Sequence, residues 1–322
     1  MLPGIHKPSV VVGSAAILLL AAGCHRAVAP PKTGAASQPG QAVARSPNQR
    51  TIGVSLWETN SPRQAQLKAD IETAAAKHPE IRVVVRDAHN HVAQQVSDVK
   101  ALLAEGVNLL IVNPIDAQVL VEPVAKAFSA GTPVIVLDRP LVGDQYTCQI
   151  DPDLGQIGQE AGAWLAAKLG GKGKIVEILG PADSLADQAQ QAGFQAALRE
   201  PGYRFIYEDH VDPPRIDAVQ VMREALKHTQ QIDAVYAFSD EAAKAAYETA
   251  KAGGRAKGVL FVGVGGLPAE GRQWVSQGIL AASVLDPTGG SEAVETALKL
   301  LAGQKVPKAI VPATRVFANH AF

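Results

Sequence analysis

The stretch Leu109–Asp116, which reads LLIVNPID, is a run of branched apolar residues that ends in a polar turn. A second stretch of the same form, TPVIVLDR at Thr132–Arg139, also ends in charged residues. Short continuous apolar runs bounded by turn residues are typical of strands that are buried on both faces, as in a parallel sheet. The two stretches therefore predict sheet strands with polar loops at their carboxyl ends.

Similar runs recur from Thr51 onward and alternate with amphipathic stretches of helical period, which is the pattern of βα units. The predicted strands are Ile52–Leu56, Ile81–Arg86, Leu109–Val112, Val134–Leu137, Tyr146–Ile150, Lys174–Leu179, Phe205–Glu208, Ala234–Phe238, Leu260–Val264 and Leu280–Leu285. About ten strands would make a wide single sheet. The pattern also restarts near Asp153, after the loop 140–144, so two sheets are the simpler interpretation.

We therefore predict an α/β protein built from two similar doubly wound parallel-sheet lobes that are joined by a hinge. The N-terminal lobe is assigned residues 51–152 and 287–303, and the C-terminal lobe residues 153–286 and 304–322. The hinge is expected in three crossovers, near Asp151, Asp286 and Gly303.

Residues 10–22 are apolar or small and follow a short head that carries His6 and Lys7. The run is shorter than the ~20 residues that a membrane-spanning helix needs, and it has the length of a signal-peptide core. It closes on LAAGC at Leu20–Cys24, which resembles a bacterial lipoprotein signal, although Ala21 stands where that motif most often has Leu. We expect residues 1–23 to be removed and Cys24 to be lipidated. The alternative is an ordinary secretory signal with an incidental cysteine.

Residues 24–50 are dense in Pro, Ala, Gly, Ser and Gln and carry no apolar periodicity. That composition is typical of a disordered tether. The sequence therefore predicts an exported protein that is lipid-anchored in the cell envelope, on the periplasmic side. If Cys24 carries lipid, Cys148 has no partner for an intramolecular disulfide and is expected to be a small buried strand residue.

Several function classes lack support in the sequence. The net charge is −1, and no stripe of Lys and Arg offers the basic surface that DNA or RNA requires. The glycine cluster at Gly170–Lys174 precedes a strand and lacks the hydroxyl of a phosphate loop. The pair in His89–His91 has no carboxylate or thiol cluster nearby, so no metal is expected. No nucleophile elbow or catalytic dyad appears, so we expect no cofactor and no enzyme.

Ligands of open parallel sheets bind outside the carboxyl ends of the strands, and the loops there are unusually polar in this chain. They are Trp57–Arg63, Asn113–Asp116, Asp138–Pro140, Ser239–Glu241 and Asp286–Thr288.

The chain resembles the type I periplasmic sugar-binding proteins of the ribose-binding class. Leu109–Asp116 and Thr132–Arg139 look like the first lobe of that family. Pieces that look like its second lobe are Gly193–Gln195, the Asp240-Glu241 turn, Val262–Val264 and Gly278–Ser283. The resemblance covers 51–303, and its order and spacing are more specific than any single piece. It implies a two-lobe solute-binding protein with bound sugar between the lobes.

The resemblance gives Asp138 and Arg139 the role of gripping sugar hydroxyls, with the carboxylate accepting and the guanidinium donating. The alternative for this pair is a surface ion pair in a loop. Trp57 and Phe238 are candidates for stacking on a sugar, or for plain packing, and Asp240 and Asp286 are candidate acceptors. If Arg63 and Arg139 both face the cleft, their charge favours an acidic or phosphorylated sugar.

Other family positions differ in this chain, which argues against ribose itself. At the start of the first helix, where ribose binders have an Asn and two aromatic rings, the chain has Ser61, Arg63 and Gln64. Four further replacements are Gln190 for an arginine, Pro213 for an aromatic residue, Ser239 for an Asn and Gly265 for an Asp.

The sequence as a whole predicts a monomeric, lipid-anchored solute-binding protein that captures a monosaccharide or related polyhydroxylated molecule for an ABC importer. One alternative is a ligand-sensing subunit for a membrane receptor or kinase. Another is an exported α/β enzyme.

Overall fold

The computed structural model describes residues 49–212 and 217–319. The predicted signal peptide, Cys24, Pro213 and the tether as far as residue 48 lie outside these described residues. The first strand begins at Arg50, one residue before the predicted start of the folded body. Across the described ranges, no helix combines the length and the apolarity that a membrane span requires.

The strands and helices alternate along the chain. The strands are β1 Arg50–Leu56, β2 Ile81–Asp87, β3 Leu109–Asn113, β4 Val134–Leu137, β5 Cys148–Ile150, β6 Gly173–Leu179, β7 Tyr203–His210, β8 Ala234–Ala237, β9 Leu260–Gly265, β10 Ala282–Leu285, β11 Ala309–Ile310 and β12 Val316–Ala318. The helices are α1 Pro62–Ala75, α2 Val92–Ala104, α3 Val121–Ser129, α4 Leu154–Leu169, α5 Leu185–Ala197, α6 Ala218–His228, α7 Asp240–Ala252, α8 Gly271–Ser276 and α9 Gly290–Leu301. All ten predicted strands are present, with ends that differ by at most two residues.

The described strands form two six-stranded sheets, ordered β11-β5-β4-β3-β1-β2 and β12-β10-β9-β8-β6-β7. Each sheet has a strand-order reversal beside its first strand, β1 in one and β6 in the other. Neighbouring strands are parallel, except that β12 runs antiparallel to β10. This topology confirms the prediction of two similar doubly wound lobes, and a reversal of strand order opens a crevice at the carboxyl ends.

The predicted position of the last crossover, near Gly303, is wrong. After α9 the chain first adds β11 to the first sheet, where Ala309 pairs with Gln149. It then crosses in residues 311–315 and adds β12 to the second sheet. The first lobe therefore continues past the predicted boundary at 303/304, as far as residue 310. The crossovers after β5 and β10 lie where the sequence places them.

The continuous apolar run of β3 is explained by burial on both faces of the sheet. Leu109 and Ile111 pack in one core cluster, while Leu110 and Val112 pack in the other, and all four are fully buried. Each such side chain stabilises the fold by about 1.5–3 kcal/mol. In β5, Cys148 is buried with a free thiol, as predicted.

Two glycines bring α4 and α5 close together in the second lobe. A Cβ on Gly158 would lie 1.9 Å from the carbonyl oxygen of Gln190, and one on Gly193 would lie 1.9 Å from that of Gly155. Only a residue without a side chain permits this approach. It fixes the beginning of α5 beside the carboxyl ends of the second sheet. The Ser184 hydroxyl caps α5 by accepting from the Asp187 N–H at 3.2 Å.

Candidate ligand-binding site

A cavity of about 360 Å³ lies between the carboxyl ends of the two sheets. Small-molecule sites have volumes of about 300–1,000 Å³, so this cavity is large enough for one small ligand. Its lining residues are Ser61, Pro62, Arg63, Leu154, Ala186, Asp187, Gln190, Phe238, Ser239, Asp240, Glu241, Val264, Gly265, Leu267, Glu270 and Asp286. Loops and helix starts from both lobes therefore contribute to one cavity.

Most of the predicted site residues are in this lining. The residues that the structure brings there are Ser61, Arg63, Gln190, Phe238, Ser239, Asp240 and Asp286. Asp138 stands just behind the lining, where it contacts Arg63. Trp57 and Arg139 are outside the lining.

Arg63, in the first turn of α1, holds two carboxylates with its guanidinium group. Nη1 and Nη2 donate to the two oxygens of Asp138 at 2.9 and 3.1 Å. Nε donates to Asp286 Oδ2 at 2.8 Å. Because Asp138 follows β4 and Asp286 follows β10, this one side chain links loops that extend from both sheets.

The local sequence explains how these groups are held. Asp138 adopts a left-handed backbone with φ 61°, which Asp tolerates better than most residues because its short side chain bonds locally. Asn113, at the end of β3, donates from Nδ2 to Asp138 Oδ2 at 2.8 Å. The buried Glu58 carboxylate accepts the N–H groups of Asn60 and Ser61 at 2.9 and 3.1 Å, which fixes the turn into α1. Arg63 is thereby aimed at a carboxylate whose own position is fixed.

The electrostatics of this cluster depend on burial. The side chains of Arg63, Asp138 and Asp286 are only 28, 18 and 20% exposed. Burial alone would lower the pKa of Arg63, but the charges of Asp286 and Asp138 raise it above its ordinary value. Burial and the charge of Asp138 raise the pKa of the neighbouring Asp151 to about 6, against the effect of Arg63. One cation is thus shared by three carboxyl groups.

Asp240 is a carboxylate of the second lobe that follows β8 and is only 2% exposed. Its Oδ2 accepts the Gly266 N–H and the Ser283 hydroxyl, each at 2.7 Å. A Cβ on Gly271 would lie 2.0 Å from that oxygen, so the loop needs glycine there. Burial, only partly offset by the bonds from Ser283 and Gly266, raises the pKa of Asp240 to about 7. This oxygen joins the start of α7 to the loop after β9 and to β10.

Two further predicted residues also have partners within the second lobe. Gln190 donates from Nε2 to the Tyr236 hydroxyl at 2.8 Å and to the Phe238 carbonyl oxygen at 3.2 Å. Ser239 is the N-cap of α7, and its hydroxyl accepts the Ala242 N–H at 3.2 Å. These bonds fix the shape of the second-lobe wall of the cavity. Phe238 lines the same wall, and its ring contributes apolar surface.

Arg139 is exposed and turns toward other residues of its own lobe. Its Nη1 donates to the Ile115 carbonyl oxygen, and its guanidinium carbon lies 5.7 Å from the centre of the Trp57 ring. The premise that Arg63 and Arg139 both face the cleft is therefore wrong. The expectation of an acidic sugar, which depended on that premise, loses its basis.

Sequence reasoning missed Asp187 and Glu270 as lining residues and Asp151 as a neighbour of the Arg63 cluster, whereas Asn113 and Glu241 belong to loops that it singled out without giving these two residues a role. Asp151 directly follows β5, which is a signal that could have found it. Glu270 lies in a loop without such a signal, and only the fold brings it to the cavity.

Other parts of the described molecule are weaker candidates for a binding site. A larger cavity of about 620 Å³ lies at the amino ends of β6–β9, away from every predicted site residue, and its lining includes Lys168, Lys172, Lys174 and Arg204. Within residues 49–212 and 217–319, no group of three or more His, Cys, Asp or Glu side chains is arranged to hold a metal ion.

Two doubly wound lobes with a polar cavity at their facing carboxyl ends define a two-lobe α/β binding protein. Residues 52–305 match the family described as "Periplasmic binding protein domain", and the chain belongs to this family.

Known relatives agree with this assignment. Ribose import binding protein RbsB of Escherichia coli (strain K12) is 32% identical over 258 residues, which is 80% of this chain and 86% of the relative. A solved fructose-binding periplasmic domain of a hybrid two-component system is 33% identical with a TM-score of 0.68, covering 84% of this chain and 91% of that one. A Bacillus halodurans ABC transporter solute-binding protein with bound myo-inositol is 25% identical, with a TM-score of 0.69 and coverage of 86% and 96%. Binding protein rather than enzyme is confirmed as the class.

Proposed function

We propose that this protein captures a monosaccharide or related polyhydroxylated small molecule in the cavity beside Arg63 and delivers it to an ABC importer. The observation that carries the proposal is the Arg63 guanidinium held between Asp138 and Asp286 at a cavity shared by both lobes. The relatives support it, because one is named for ribose import and a solved neighbour contains myo-inositol. The protein acts as a monomer.

The chemistry of the cluster suits hydroxyl groups, which both donate and accept hydrogen bonds. An ionised carboxylate has about four acceptor positions and a guanidinium has five N–H donors. Asp286 uses only part of its capacity on Arg63, to which it is joined at 2.8 and 3.4 Å. Asp286 and Arg63 therefore make the direct contacts, while Asp138 fixes the guanidinium from behind. The Phe238 ring packs on the apolar face of the sugar.

A ligand panel tests this assignment. Pentoses, hexoses, amino sugars, sugar acids and polyols are screened by thermal shift, because a ligand at 100 times its Kd adds ~2.7 kcal/mol to stability. At least one member should raise the melting temperature. Asp286→Asn should weaken binding of that ligand by about 5- to 150-fold, because an unpaired polar group costs ~1–3 kcal/mol. The exposed Asp144→Asn is the matched control. A flat panel would remove the proposal.

Lipid anchoring at Cys24 is part of the same proposal. The LAAGC stretch supports it, as does membership of a periplasmic family. Cys24→Ser should leave the protein unlipidated, because a hydroxyl cannot replace the thiol in a thioether bond. Detergent-phase partitioning measures the difference. Equal partitioning of the wild type and the variant would contradict the anchor and leave export to be tested separately.

A second candidate function is ligand sensing for a membrane kinase, and the likeness to the periplasmic domain of a two-component system favours it. The two functions separate in cells that lack the gene. Loss of uptake of the radiolabelled ligand supports import. Normal uptake with a lost transcriptional response to the ligand supports sensing.

A further inference from the structure

The cavity lining carries more acidic than basic side chains. Five lining residues carry carboxyl groups, namely Asp187, Asp240, Glu241, Glu270 and Asp286. Among the lining residues that the structure describes, Arg63 is the one cation. The charge of the cavity is therefore negative even when Asp240 holds its proton.

Arg63 offsets only part of this charge, and its guanidinium is already paired with Asp138 and Asp286. These three groups together carry one net negative charge. Arg139, the other arginine that the sequence places near the site, donates to the Ile115 carbonyl oxygen and lies outside the lining. A carboxylate or phosphate on a ligand would meet no unpaired positive charge among the described residues that line the cavity.

The second-lobe wall presents carboxyl groups with spare acceptor capacity. Glu241 and Glu270 are hydrogen-bonding neighbours, and burial together with the Glu241 carboxylate raises the pKa of Glu270. The Asp240 side chain is 2% exposed at the same wall. Its Oδ1 is a buried oxygen with no hydrogen-bond partner in the described part of the chain. An ammonium group has three donors and no acceptor, which is the complement of this wall.

Resting on the proposed function, we infer that the ligand carries a protonated primary amine, as in an amino sugar or an amino cyclitol. Its hydroxyl groups contact Arg63 and Asp286, and its ammonium group lies against Glu241 and Glu270. A neutral sugar brings no charge to these two glutamates, whereas an ammonium group stabilises both in the ionised form. A sugar acid adds another negative charge beside carboxyl groups that repel it.

Matched sugars test the inference directly. Hexosamine, hexose and hexuronic acid of the gluco, galacto and manno series are titrated calorimetrically into the full-length protein at neutral pH and low salt. In the series that binds, the amine should bind about 10-fold more tightly than the neutral hexose, a difference of ~1.4 kcal/mol. The acid should bind most weakly, and the differences should narrow at high salt because partly exposed charges are screened.

Two variants locate the amine contact. Glu270→Gln and Glu241→Gln should each reduce the preference for amine over neutral hexose by about 3- to 10-fold, or ~0.7–1.4 kcal/mol. Glu248→Gln, on the exposed side of α7, is the matched control and should leave the preference unchanged.

The outcomes separate this inference from the proposed function. Equal or tighter binding of the neutral hexose or the hexuronic acid, in protein that does bind sugar, overturns the amine inference and leaves sugar capture standing. An amine preference that survives both glutamate variants overturns the assigned contact. If no sugar of any charge binds in the calorimeter or in the wider thermal-shift panel, both proposals fall.

Discussion

Asp138 and Asp240 each lie just beyond the carboxyl end of a parallel strand, β4 in the first lobe and β8 in the second, yet their surroundings differ. Asp138 is 18% exposed and is held by side chains, a guanidinium and an amide. Asp240 is 2% exposed and is held by a backbone N–H and a hydroxyl. A cation balances the charge of the first carboxylate, whereas the Gly266 N–H and Ser283 hydroxyl that hold the second are neutral.

The comparison teaches that a position after a strand predicts proximity to the cleft but not the role of the residue there. In the first lobe a charged partner, Arg63, balances the carboxylate of Asp138. Neutral partners and deep burial instead raise the pKa of Asp240 to about 7 and make it part of the lobe. Variants at the two positions should therefore separate stability from affinity.

The largest expected effect is on stability, from Asp240→Ala. Loss of the carboxylate leaves the buried Gly266 N–H and Ser283 hydroxyl without their acceptor, at about 1–3 kcal/mol for each group. Because Gly266 N–H also bonds to Ser283 Oγ at 3.0 Å, we expect a total of about 2–4 kcal/mol in the free energy of unfolding. Urea denaturation without ligand measures it. A loss of unfolding free energy smaller than the cost of one unpaired polar group would show that Asp240 and Asp138 have equivalent roles.

The pH dependence of stability should follow the same residue. The pKa of Asp240 is raised from 3.8 to about 7 on folding, so its stabilising effect is complete below pH ~4 and is lost as the pH rises through ~7. Three pKa units correspond to roughly 4 kcal/mol at most. Asp240→Asn imitates the protonated acid and should flatten this decline. Denaturation curves measured between pH ~4 and ~7 compare the wild type with Asp240→Asn. The same dependence of stability on pH in both proteins would contradict the raised pKa of Asp240.

Asp138→Asn is expected to lower ligand affinity rather than stability. Asn also tolerates the left-handed backbone, so the fold should be retained. The amide disturbs the paired bonds to Arg63, and ligand affinity should fall by about 5- to 150-fold, or ~1–3 kcal/mol. Calorimetric titration and a melting curve on one sample measure both quantities. A collapsed melting temperature would make Asp138 a structural residue like Asp240.

The smallest effect is expected for Arg139→Gln. Its guanidinium lies on the Trp57 ring at the surface, and an exposed cation–π contact contributes about 0.5–1 kcal/mol to stability. Ligand affinity should change by less than about threefold, or ~0.7 kcal/mol. A loss as large as that of Asp138→Asn would return Arg139 to the set of ligand contacts.

The fold was predictable from the sequence because buried strands and amphipathic helices leave strong periodic signals. The alternation of Leu109–Val112 with helical stretches is sufficient for the two-lobe assignment. The two strands that prediction missed, β11 and β12, are two and three residues long. Runs of that length carry no periodicity, and their misassignment displaced the last crossover.

The candidate site was only partly predictable, because sequence position does not reveal a side chain's partners. Arg63 and Asp286 were found as loop residues, but their pairing joins residues 223 positions apart. Asp240 was named as an acceptor for the ligand, whereas its Oδ2 serves Gly266 and Ser283. Burial decides such cases, and burial of a loop depends on neighbours that the tertiary fold supplies.

The Arg63 bridge between Asp138 and Asp286 also bears on how affinity and selectivity arise. It is an attraction between loops of the two lobes that is present without any ligand. The apparent affinity of a binding protein equals its intrinsic affinity multiplied by the fraction of molecules already in the competent arrangement. A built-in bridge that raises this fraction strengthens binding of every sugar by the same factor. Discrimination among sugars must then come from the opposite wall.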